Sequence, residues 1–375
     1  MRDVLDSLLG WWQAGEPAGL ATVTATWSSA PRQPGAAMAV GPDGTVAGSV
    51  SGGCVEGAVY ELCREVAEGG AARTVRFGVS DDDAFEVGLT CGGIIELLIE
   101  RVDRESFPWL PEFAAAVAAD RPVALLSRLP EDGGEVGHLL LTPESRTGSL
   151  GGDRIDDAAG DDGLGLLTAG RTGVLHYGRE GERRGEGLAV LVSSFAPPAR
   201  MLVFGATDHA AATAGIGSFL GFRVTVCDAR PVFATARRFP SADEVVVDWP
   251  HRYLAAEAAA GRIDERTVLC VLTHDPKFDV PVLEVALRLP VAYVGAMGSR
   301  RTHDDRLKRL QETGLTDAEL ARLSSPVGLD LGARTPEETA VSIAAEIVAL
   351  RWGGTGARLT GTAGRIHPDT ETVGG

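Results

Sequence analysis

The sequence is poor in cysteine and in aromatic residues. Its 375 residues include five cysteines, and 6% of all residues are aromatic. The cysteine count is odd and no short paired spacing occurs, so the chain favours neither a secreted disulfide framework nor a zinc knuckle. We therefore expect a protein of the reducing cytoplasm.

Positive charge is also in deficit, and long hydrophobic runs are missing. The 35 Lys and Arg residues against 52 Asp and Glu residues give a formal net charge of −17 at pH 7. Because nucleic acids and anionic membranes are bound by clustered Lys and Arg, the composition argues against both as partners. No stretch is long enough to cross a membrane, and residues 1–12 have the apolar spacing of a helix rather than the apolar run of a signal peptide.

Twice in the sequence a cysteine lies beside a pair of glycines. The residues concerned are Gly52, Gly53 and Cys54, and then Cys91, Gly92 and Gly93. Glycine adopts positive φ readily and leaves the neighbouring sulfur uncrowded. Such loops bring backbone N–H groups and a soft thiol donor to an anionic or metal-bearing ligand. The alternative is a pair of tight turns with cysteines in the core. The occurrence of both loops in one domain favours a ligand site.

The first of these cysteines lies at the start of a predicted helix. Apolar residues recur at helical spacing from Val55 to Val66, which places Cys54 at a loop-to-helix junction. The partial positive charge of a helix N-terminus stabilises a thiolate there. Cys63 lies on the apolar stripe of the helix, and we expect it in the core.

This loop and a short stretch after its helix are echoed later in the sequence. Residues 147–153 are similar to residues 47–54, and residues 169–172 are similar to residues 71–74, at nearly the same offset. Asp153 stands where the first copy has Cys54. The echo predicts a degenerate duplication in which both Gly-Gly turns occupy related places in one fold. Chance similarity in a glycine-rich chain is the alternative.

The chain is long enough for two or three domains, and its sequence pattern changes near residue 200. We predict an α/β protein with an N-terminal mixed α+β domain at 1–192, a linker at 193–200, a Rossmann-like domain at 201–353 and a flexible tail at 354–375. In the second domain, short apolar strands alternate with helices, which is typical of a doubly wound parallel sheet. The predicted strands of that sheet are 201–204, 223–228, 244–247, 268–272 and 291–294.

The first strand-to-helix turn of the second domain departs from a dinucleotide-binding sequence. The turn begins at Gly205, but Thr207 stands where the second glycine of Gly-x-Gly-x-x-Gly is expected. Asp208, interpreted as a helix N-cap, puts a negative charge where a phosphate would lie. Asp228 ends the second strand, where a carboxylate grips a ribose hydroxyl. NAD(P) is therefore kept only as an alternative cofactor.

The end of another strand offers an anion site. Gly295 follows that strand, and Gly298, Ser299 and Arg300 lead on into a helix. Backbone N–H groups, a hydroxyl and a guanidinium would converge there on a phosphate. The alternative for the arginine is a solvated basic patch. His274 follows a neighbouring strand and is either a ligand group or a capping residue.

Taken together, these stretches resemble the XdhC/CoxI family, the accessory factors of xanthine dehydrogenase and other molybdenum hydroxylases. The resemblance lies in residues 48–57, 91–93, 293–300 and 326–338. It implies binding of the molybdenum cofactor (molybdopterin), protection of it during sulfuration by a cysteine desulfurase, and delivery to an apo molybdenum hydroxylase. It implies a maturation chaperone, and we predict no catalytic residue. Many members have Gly-Ala-Gly-His at the turn where this chain has residues 205–208.

The resemblance and the residues together give one leading hypothesis. Cys54 binds or protects the metal–sulfur centre and is the candidate contact to molybdenum or its sulfur, Cys91 is a second thiol, and Gly298 to Arg300 take the phosphate. We also expect a homodimer. One alternative is an NAD(P)-dependent oxidoreductase on the second domain. Another is a thiol or persulfide carrier, which requires the Cα atoms of Cys54 and Cys91 to lie within about 7 Å.

Overall fold

The computed structural model of the chain describes residues 1–27, 32–78, 93–131, 134, 136–183, 185 and 187–362. These residues form two compact units, residues 1–197 and residues 198–362. Within the described ranges, none of the helices combines the length and the apolar character needed to cross a membrane.

The first half of unit one is a five-stranded antiparallel sheet. Helix α1 spans Leu5–Ala14, and the strands are β1 (Ala18–Trp27), β2 (Ala37–Val40), β3 (Val46–Gly48), β4 (Arg73–Phe77) and β5 (Ile94–Val102). Helix α2 (Glu56–Ala67) connects β3 to β4. The strand order is β3-β2-β1-β5-β4, and each neighbouring pair is antiparallel. Strand β1 is therefore central, which agrees with its β-branched, largely buried sequence.

The second half of unit one contains a sheet with the same strand order. After α3 (Leu110–Ala118) come β6 (Val123–Arg128), β7 (His138–Leu141), β8 (Arg146–Ser149), helix α4 (Asp153–Ala169), β9 (Gly173–Gly178) and β10 (Gly187–Phe195). The order is β8-β7-β6-β10-β9. In both halves, one helix follows the third strand of the sheet and precedes the fourth.

One glycine occupies the same place in each sheet. Gly48 has a φ of +75° and Gly148 a φ of +100°, in the left-handed region that other residues resist. A Cβ at Gly48 would collide with the carbonyl oxygen of Ala37, and a Cβ at Gly148 would collide with that of His138. Both positions therefore need glycine for its backbone conformation and for lack of space.

The described residues of unit one form three hydrophobic cores. Helix α2 buries Val59, Leu62 and Cys63 against one face of the first sheet, and α4 buries Ile155 and Leu167 against one face of the second. The third core combines residues of both sheets with α1 and α3. Each sheet is consequently covered on both faces.

A buried contact between a histidine and a glutamate connects the two sheets. His138 of β7 and Glu100 of β5 are 8% and 3% exposed, and their Nε2 and Oε2 atoms lie 2.9 Å apart. The other ring nitrogen of His138 lies 3.1 Å from the Ser127 hydroxyl on β6. Both ring nitrogens of His138 therefore have polar partners in the core, as buried polar groups require.

Unit two is the predicted doubly wound sheet. Its strands are β11 (Arg200–Phe204), β12 (Arg223–Cys227), β13 (Glu244–Val246), β14 (Val268–Val271), β15 (Tyr293–Ala296) and β16 (Leu323–Ser324). Its helices are α5 (Asp208–Phe219), α6 (Pro250–Ala259), α7 (Pro276–Ala286), α8 (Arg300–Glu312), α9 (Asp317–Leu320) and α10 (Pro336–Trp352). The order is β13-β12-β11-β14-β15-β16 with parallel neighbours, so the predicted Rossmann-like fold is confirmed.

Two details of the sequence interpretation differ from the structure. The predicted linker began at residue 193, but β10 continues to Phe195 because Ser193 and Ser194 still pair with β6. The connection between the strands is therefore residues 196–199, where Pro197 and Pro198 provide no backbone donors. The N-cap of α5 is Thr207 rather than Asp208, since the Thr207 hydroxyl accepts from an N–H of the helix. Of the predicted tail, residues 363–375 lie outside the described residues.

Candidate functional site

The Cys54 loop lies between β3 and α2, at the predicted loop-to-helix junction. Gly52 and Gly53 have φ angles of +77° and +119°, and a Cβ at either would meet no atom within 4 Å. Cys54 itself is half-buried and packs against the core between α2 and the sheet. The two glycines therefore set the path of the loop and leave open space beside the cysteine.

The carboxylate of Glu56, the first residue of α2, is the centre of this loop. One oxygen accepts from the Ser49 hydroxyl at 2.7 Å and from the Ser51 N–H at 2.9 Å. The other accepts from the Ser51 hydroxyl, from the Gly53 N–H at 2.8 Å and from the Val55 N–H at 3.3 Å. Burial opposes ionisation of Glu56, but the hydrogen bonds from Ser51 and Ser49 outweigh it and lower its pKa to about 2.

The Ser51 hydroxyl connects this carboxylate to the backbone of the cysteine. Its oxygen accepts from the backbone N–H of Cys54 at 2.9 Å and from that of Val55 at 3.1 Å, while its hydrogen goes to the carboxylate. The N–H of Gly52 donates to the Ser49 hydroxyl at 3.0 Å. Ser51 is 2% exposed, so its hydroxyl is shielded from water.

The hydrogen bonds within the loop occupy backbone N–H groups that the sequence analysis assigned to a ligand. The sequence interpretation directs the N–H groups of Gly52 and Gly53 at a bound ligand, whereas in the structure both donate to side chains of the loop. The reason is that Glu56 places its own negative charge at the N-terminus of α2, where an anion would bind. The N–H groups of these two glycines are therefore used within the loop.

The other described cysteines are buried. Burial raises the pKa of Cys63 to about 12, and it does the same for Cys227 and Cys270. Their thiols are protonated and inert at neutral pH. Among the described cysteines, Cys54 is the one that is not buried.

The second Cys-Gly-Gly stretch cannot be placed beside the first. Cys91 and Gly92 lie outside the described residues, and Gly93 is a buried residue immediately before β5. The pairing of Cys54 with Cys91 therefore stays a prediction.

The Gly-Gly loop of the second half has two similar hydrogen bonds and differs in the space beside its first glycine. The Gly151 N–H donates to the Ser149 hydroxyl at 3.0 Å, and the Leu150 N–H donates to the Asp156 carboxylate at 2.6 Å. A Cβ at Gly151 would collide with the guanidinium of Arg128. The first glycine of the pair is therefore open at Gly52 and covered by an arginine at Gly151, whereas a Cβ at Gly53 or at Gly152 would meet no atom within 4 Å.

In unit two, the carboxylate of Asp228, which follows β12, is bonded to the turn after β11. Gly205 has a φ of +114°, and the next N–H, that of Ala206, donates to Asp228 at 2.7 Å. Arg230 donates to both oxygens of Asp228, at 2.9 and 2.8 Å. Burial opposes ionisation of Asp228, but the bonds from Arg230 and the Ala206 N–H lower its pKa. The residue predicted to grip a ribose is thus already paired.

A second arginine covers the same turn. Arg238 donates to the carbonyl of Ala206 at 3.2 Å and to the Asp208 carboxylate at 3.4 Å. The two charges that the sequence places at this turn, Asp208 and Asp228, are both bonded to arginines of this chain.

Gly295 is a packing residue of β15. It is buried, and a Cβ there would meet the ring of Tyr293 and the side chain of Val327 at 2.6 Å. Gly295 therefore packs within the sheet rather than lining the predicted anion site.

The residues that follow β15 form the N-terminus of helix α8, at the carboxyl end of the sheet. Ser299 is the N-cap of α8, and its hydroxyl accepts from the Thr302 N–H at 3.1 Å. Arg300 is the first residue of the helix and is exposed. Gly298 precedes them with a φ of +158°.

A buried arginine that the sequence analysis missed connects the strand ends of this sheet. Arg306 is 3% exposed and donates to Asp279 at 2.9 Å, to the Met297 carbonyl at 2.7 Å and to the Ser325 hydroxyl at 2.9 Å. Asp279 also accepts from the Thr273 hydroxyl. Burial raises the pKa of Asp279, although Thr273 and Arg306 favour its charge. No sequence signal separates this arginine from the exposed basic residues of α8.

Across the described residues, no group of three or more His, Cys, Asp and Glu side chains is arranged to hold a metal ion.

Two family models match the sequence. The model described as XdhC Rossmann domain matches residues 201–347, and the model described as XdhC and CoxI family matches residues 11–78. The first covers the doubly wound sheet, and the second covers the first half of unit one, including the Cys54 loop.

Two curated proteins and one solved structure are similar along most of the chain. The molybdenum cofactor insertion chaperone PaoD of Escherichia coli is 30% identical over 93% of this chain and 88% of its own length. A probable xanthine dehydrogenase subunit of Bacillus subtilis is 26% identical over 93% of this chain and 96% of its own. A crystal structure described as a xanthine dehydrogenase from Bacillus halodurans matches with a TM-score of 0.66 at 26% identity, covering 96% of this chain and 97% of that one.

Proposed function

The chain belongs to the XdhC and CoxI family, and on that premise we propose that it is a maturation factor that binds the molybdenum cofactor and delivers it to a molybdenum hydroxylase of the xanthine dehydrogenase type. The names of its relatives support this proposal, since one is a molybdenum cofactor insertion chaperone and the other a probable xanthine dehydrogenase subunit. The cofactor is the cargo of such a protein rather than a resident group.

The observation that carries the proposal is the Cys54 loop. It presents a half-buried cysteine beside two glycines with open space, on a turn fixed by Ser51 and Glu56. Molybdenum in its pterin dithiolene complex is a soft, sulfur-bearing centre, for which a thiol is a suitable donor. We assign the contact with molybdenum or its sulfur to Cys54, with Cys91 as a second thiol.

A phosphate group needs a positively charged partner. Within unit two, taken by itself, we propose an anion site at the start of α8, where Gly298, Ser299 and Arg300 present a helix N-terminus and an exposed guanidinium. The Ser299 hydroxyl accepts from the Thr302 N–H and lies 2.9 Å from the Thr302 hydroxyl, so its hydrogen is available to a phosphate oxygen when Thr302 is the donor of that pair.

The proposal includes partners and a place of action. The cargo is protected while a cysteine desulfurase supplies sulfur, and it then passes to the apo-hydroxylase. The protein works as a homodimer in the cytoplasm, where reducing conditions keep Cys54 available.

The two other functions considered from the sequence have less support. NAD(P) finds no support in the relatives, and both oxygens of Asp228 are already bonded within the chain. A persulfide carrier shares the requirement for Cys54, and it is distinguished by carrying sulfur without pterin.

The experiment is co-purification from cells that make the molybdenum cofactor. Wild type, Cys54→Ala and the double variant with Cys91→Ala are purified and assayed for molybdenum and pterin, with Cys63→Ala as the control for loss of a buried thiol. We expect cofactor on wild type and on the control, and little on the other two. Unchanged retention by the double variant would refute the thiol site, and sulfur without pterin on wild type would favour the persulfide carrier.

A further inference from the structure

Helix α10 is apolar on both of its sides. Ile343 and Ile347 point inward and are buried in the core against the sheet, 0% and 4% exposed. Val341, Val348 and Trp352 lie on the outer side and are 49%, 43% and 55% exposed. A helix that covers a sheet normally carries polar residues on its outer face, so this face is suited to contact another molecule.

The outer residues form one continuous stripe. Val341, Ala345, Val348 and Trp352 are spaced by four, three and four positions, which places them along one side of a helix. Ala345, in the middle, is small and leaves room for a second helix to approach closely. Interhelical distances near the lower end of about 8–10 Å require small residues at the contact.

The charges at the two ends of the helix are of opposite sign. Glu337 is exposed in the first turn, and Arg351 is in the last turn with its guanidinium 5.0 Å from the Trp352 ring centre. If two such helices pack antiparallel about a two-fold axis near Ala345, Glu337 of each copy lies toward Arg351 of the other. When two copies of the stripe run antiparallel, each therefore presents to the other the opposite charge at both ends, and a two-fold interface requires such self-complementarity.

We propose that the outer face of α10 is the interface between two copies of this chain. The inference rests on the homodimer proposed above and names its surface. The valines and the tryptophan of one copy cover the alanine and valines of the other, and the two Glu337–Arg351 pairs fix the antiparallel direction. The acidic start and basic end of α10 match an antiparallel copy of the same helix. We therefore infer a second copy of this chain, rather than a client enzyme, as the occupant of this face.

The test is the molar mass of the full chain in solution, measured by light scattering. Wild type is compared with Val341→Glu/Val348→Glu and with a control, Val232→Glu, which changes a valine that is 75% exposed outside the helix. We expect a dimer for wild type and for the control, and a monomer for the α10 variant. All three changed residues are exposed, so the fold of the monomer should be retained, and circular dichroism checks this.

Charge exchange tests the direction of packing. Glu337→Arg and Arg351→Glu each place like charges together and should weaken the dimer at least tenfold, whereas the double variant restores opposite charges and should recover it. Ala345→Cys should form a disulfide-linked dimer on mild oxidation, while Val232→Cys should not.

A wild-type monomer would overturn both the surface and the homodimer, and a dimer that survives Val341→Glu/Val348→Glu would overturn the surface alone. A monomeric wild type whose α10 variant fails to bind apo-hydroxylase would assign the face to the client instead. Cofactor retention by the variants reports separately on the cargo site, so failure of the interface and failure of the proposed chaperone function are distinguishable.

Discussion

The backbone N–H of Cys54 donates to the hydroxyl of Ser51 at 2.9 Å. That hydroxyl in turn donates to the carboxylate of Glu56, which follows the cysteine by two positions. The cysteine is thus held by a chain of two hydrogen bonds that ends on a charge of its own helix. Because the last acceptor is ionised, these bonds are stronger than those of a neutral turn.

Removing the carboxylate should loosen this loop. Glu56→Ala leaves the N–H groups of Ser51 and Gly53 without their acceptor, and we expect the free energy of unfolding to fall by about 2 kcal/mol. Amide exchange at Gly53 and Cys54 should become faster. Glu61→Ala, on an exposed position of α2, is the control and should change neither quantity. Slow exchange in Glu56→Ala would show that the loop is held by other contacts.

The same carboxylate predicts a pH dependence. The pKa of Glu56 is lowered from its ordinary value of 4.5 to about 2, so its stabilising effect is complete above pH 4.5 and is lost as the pH falls toward 2. Wild type should therefore exceed Glu56→Gln in its urea midpoint at neutral pH, and the difference should shrink across that interval. A difference that stays constant down to pH 2 would contradict the ionised state of Glu56.

The related glycines of the two sheets should respond alike to substitution. Gly48→Ala and Gly148→Ala each combine a positive φ with a collision, and we expect each to cost about 2 kcal/mol or more of unfolding free energy. Gly165→Ala in α4 meets no atom within 4 Å and should stabilise the protein by about 0.5–1 kcal/mol. Thermal unfolding measures all three. A tolerated alanine at either sheet position would mean that the two halves are not equivalent there.

The buried arginine of unit two should be essential for stability. Arg306→Leu leaves the Asp279 carboxylate buried without its partner, which costs about 3–5 kcal/mol when a buried ion pair is broken. The double variant with Asp279→Leu removes both charges and should recover much of that loss. Arg301→Leu, on an exposed position of α8, is the control in urea unfolding. Equal losses in the single and double variants would show that the two residues do not act as a pair.

Much of the fold could be predicted from the sequence, because burial on both sides of a strand leaves a strong pattern. Strands β1 and β5 are long and apolar, and β11 to β15 alternate with helices, so their positions and the doubly wound sheet could be derived. Strands β3 and β16, of three and two residues, were missed because so few positions carry no periodicity. The duplication stays a prediction, supported by the shared strand order of the two sheets.

The candidate site could be predicted only in part. The position of Cys54 before a helix follows from local spacing, but the role of Glu56 depends on a turn that Gly52 and Gly53 close through positive φ angles. In the sequence, Ser49 and Ser51 have no feature that distinguishes them from ordinary loop residues. Arg306 and Asp279 are separated by 27 positions and meet only because α7 and α8 follow neighbouring strands.

The most direct test of the account is binding of released molybdenum cofactor to the purified protein, followed by pterin fluorescence. The proteins compared are wild type, Cys54→Ser and Cys63→Ala, of which the last removes a buried thiol and leaves the loop intact. Loss of a thiolate–metal contact should weaken binding by Cys54→Ser at least tenfold, a change of about 1.4 kcal/mol, while Cys63→Ala binds like wild type. Equal affinities of wild type and Cys54→Ser would contradict the claim that Cys54 holds the cofactor.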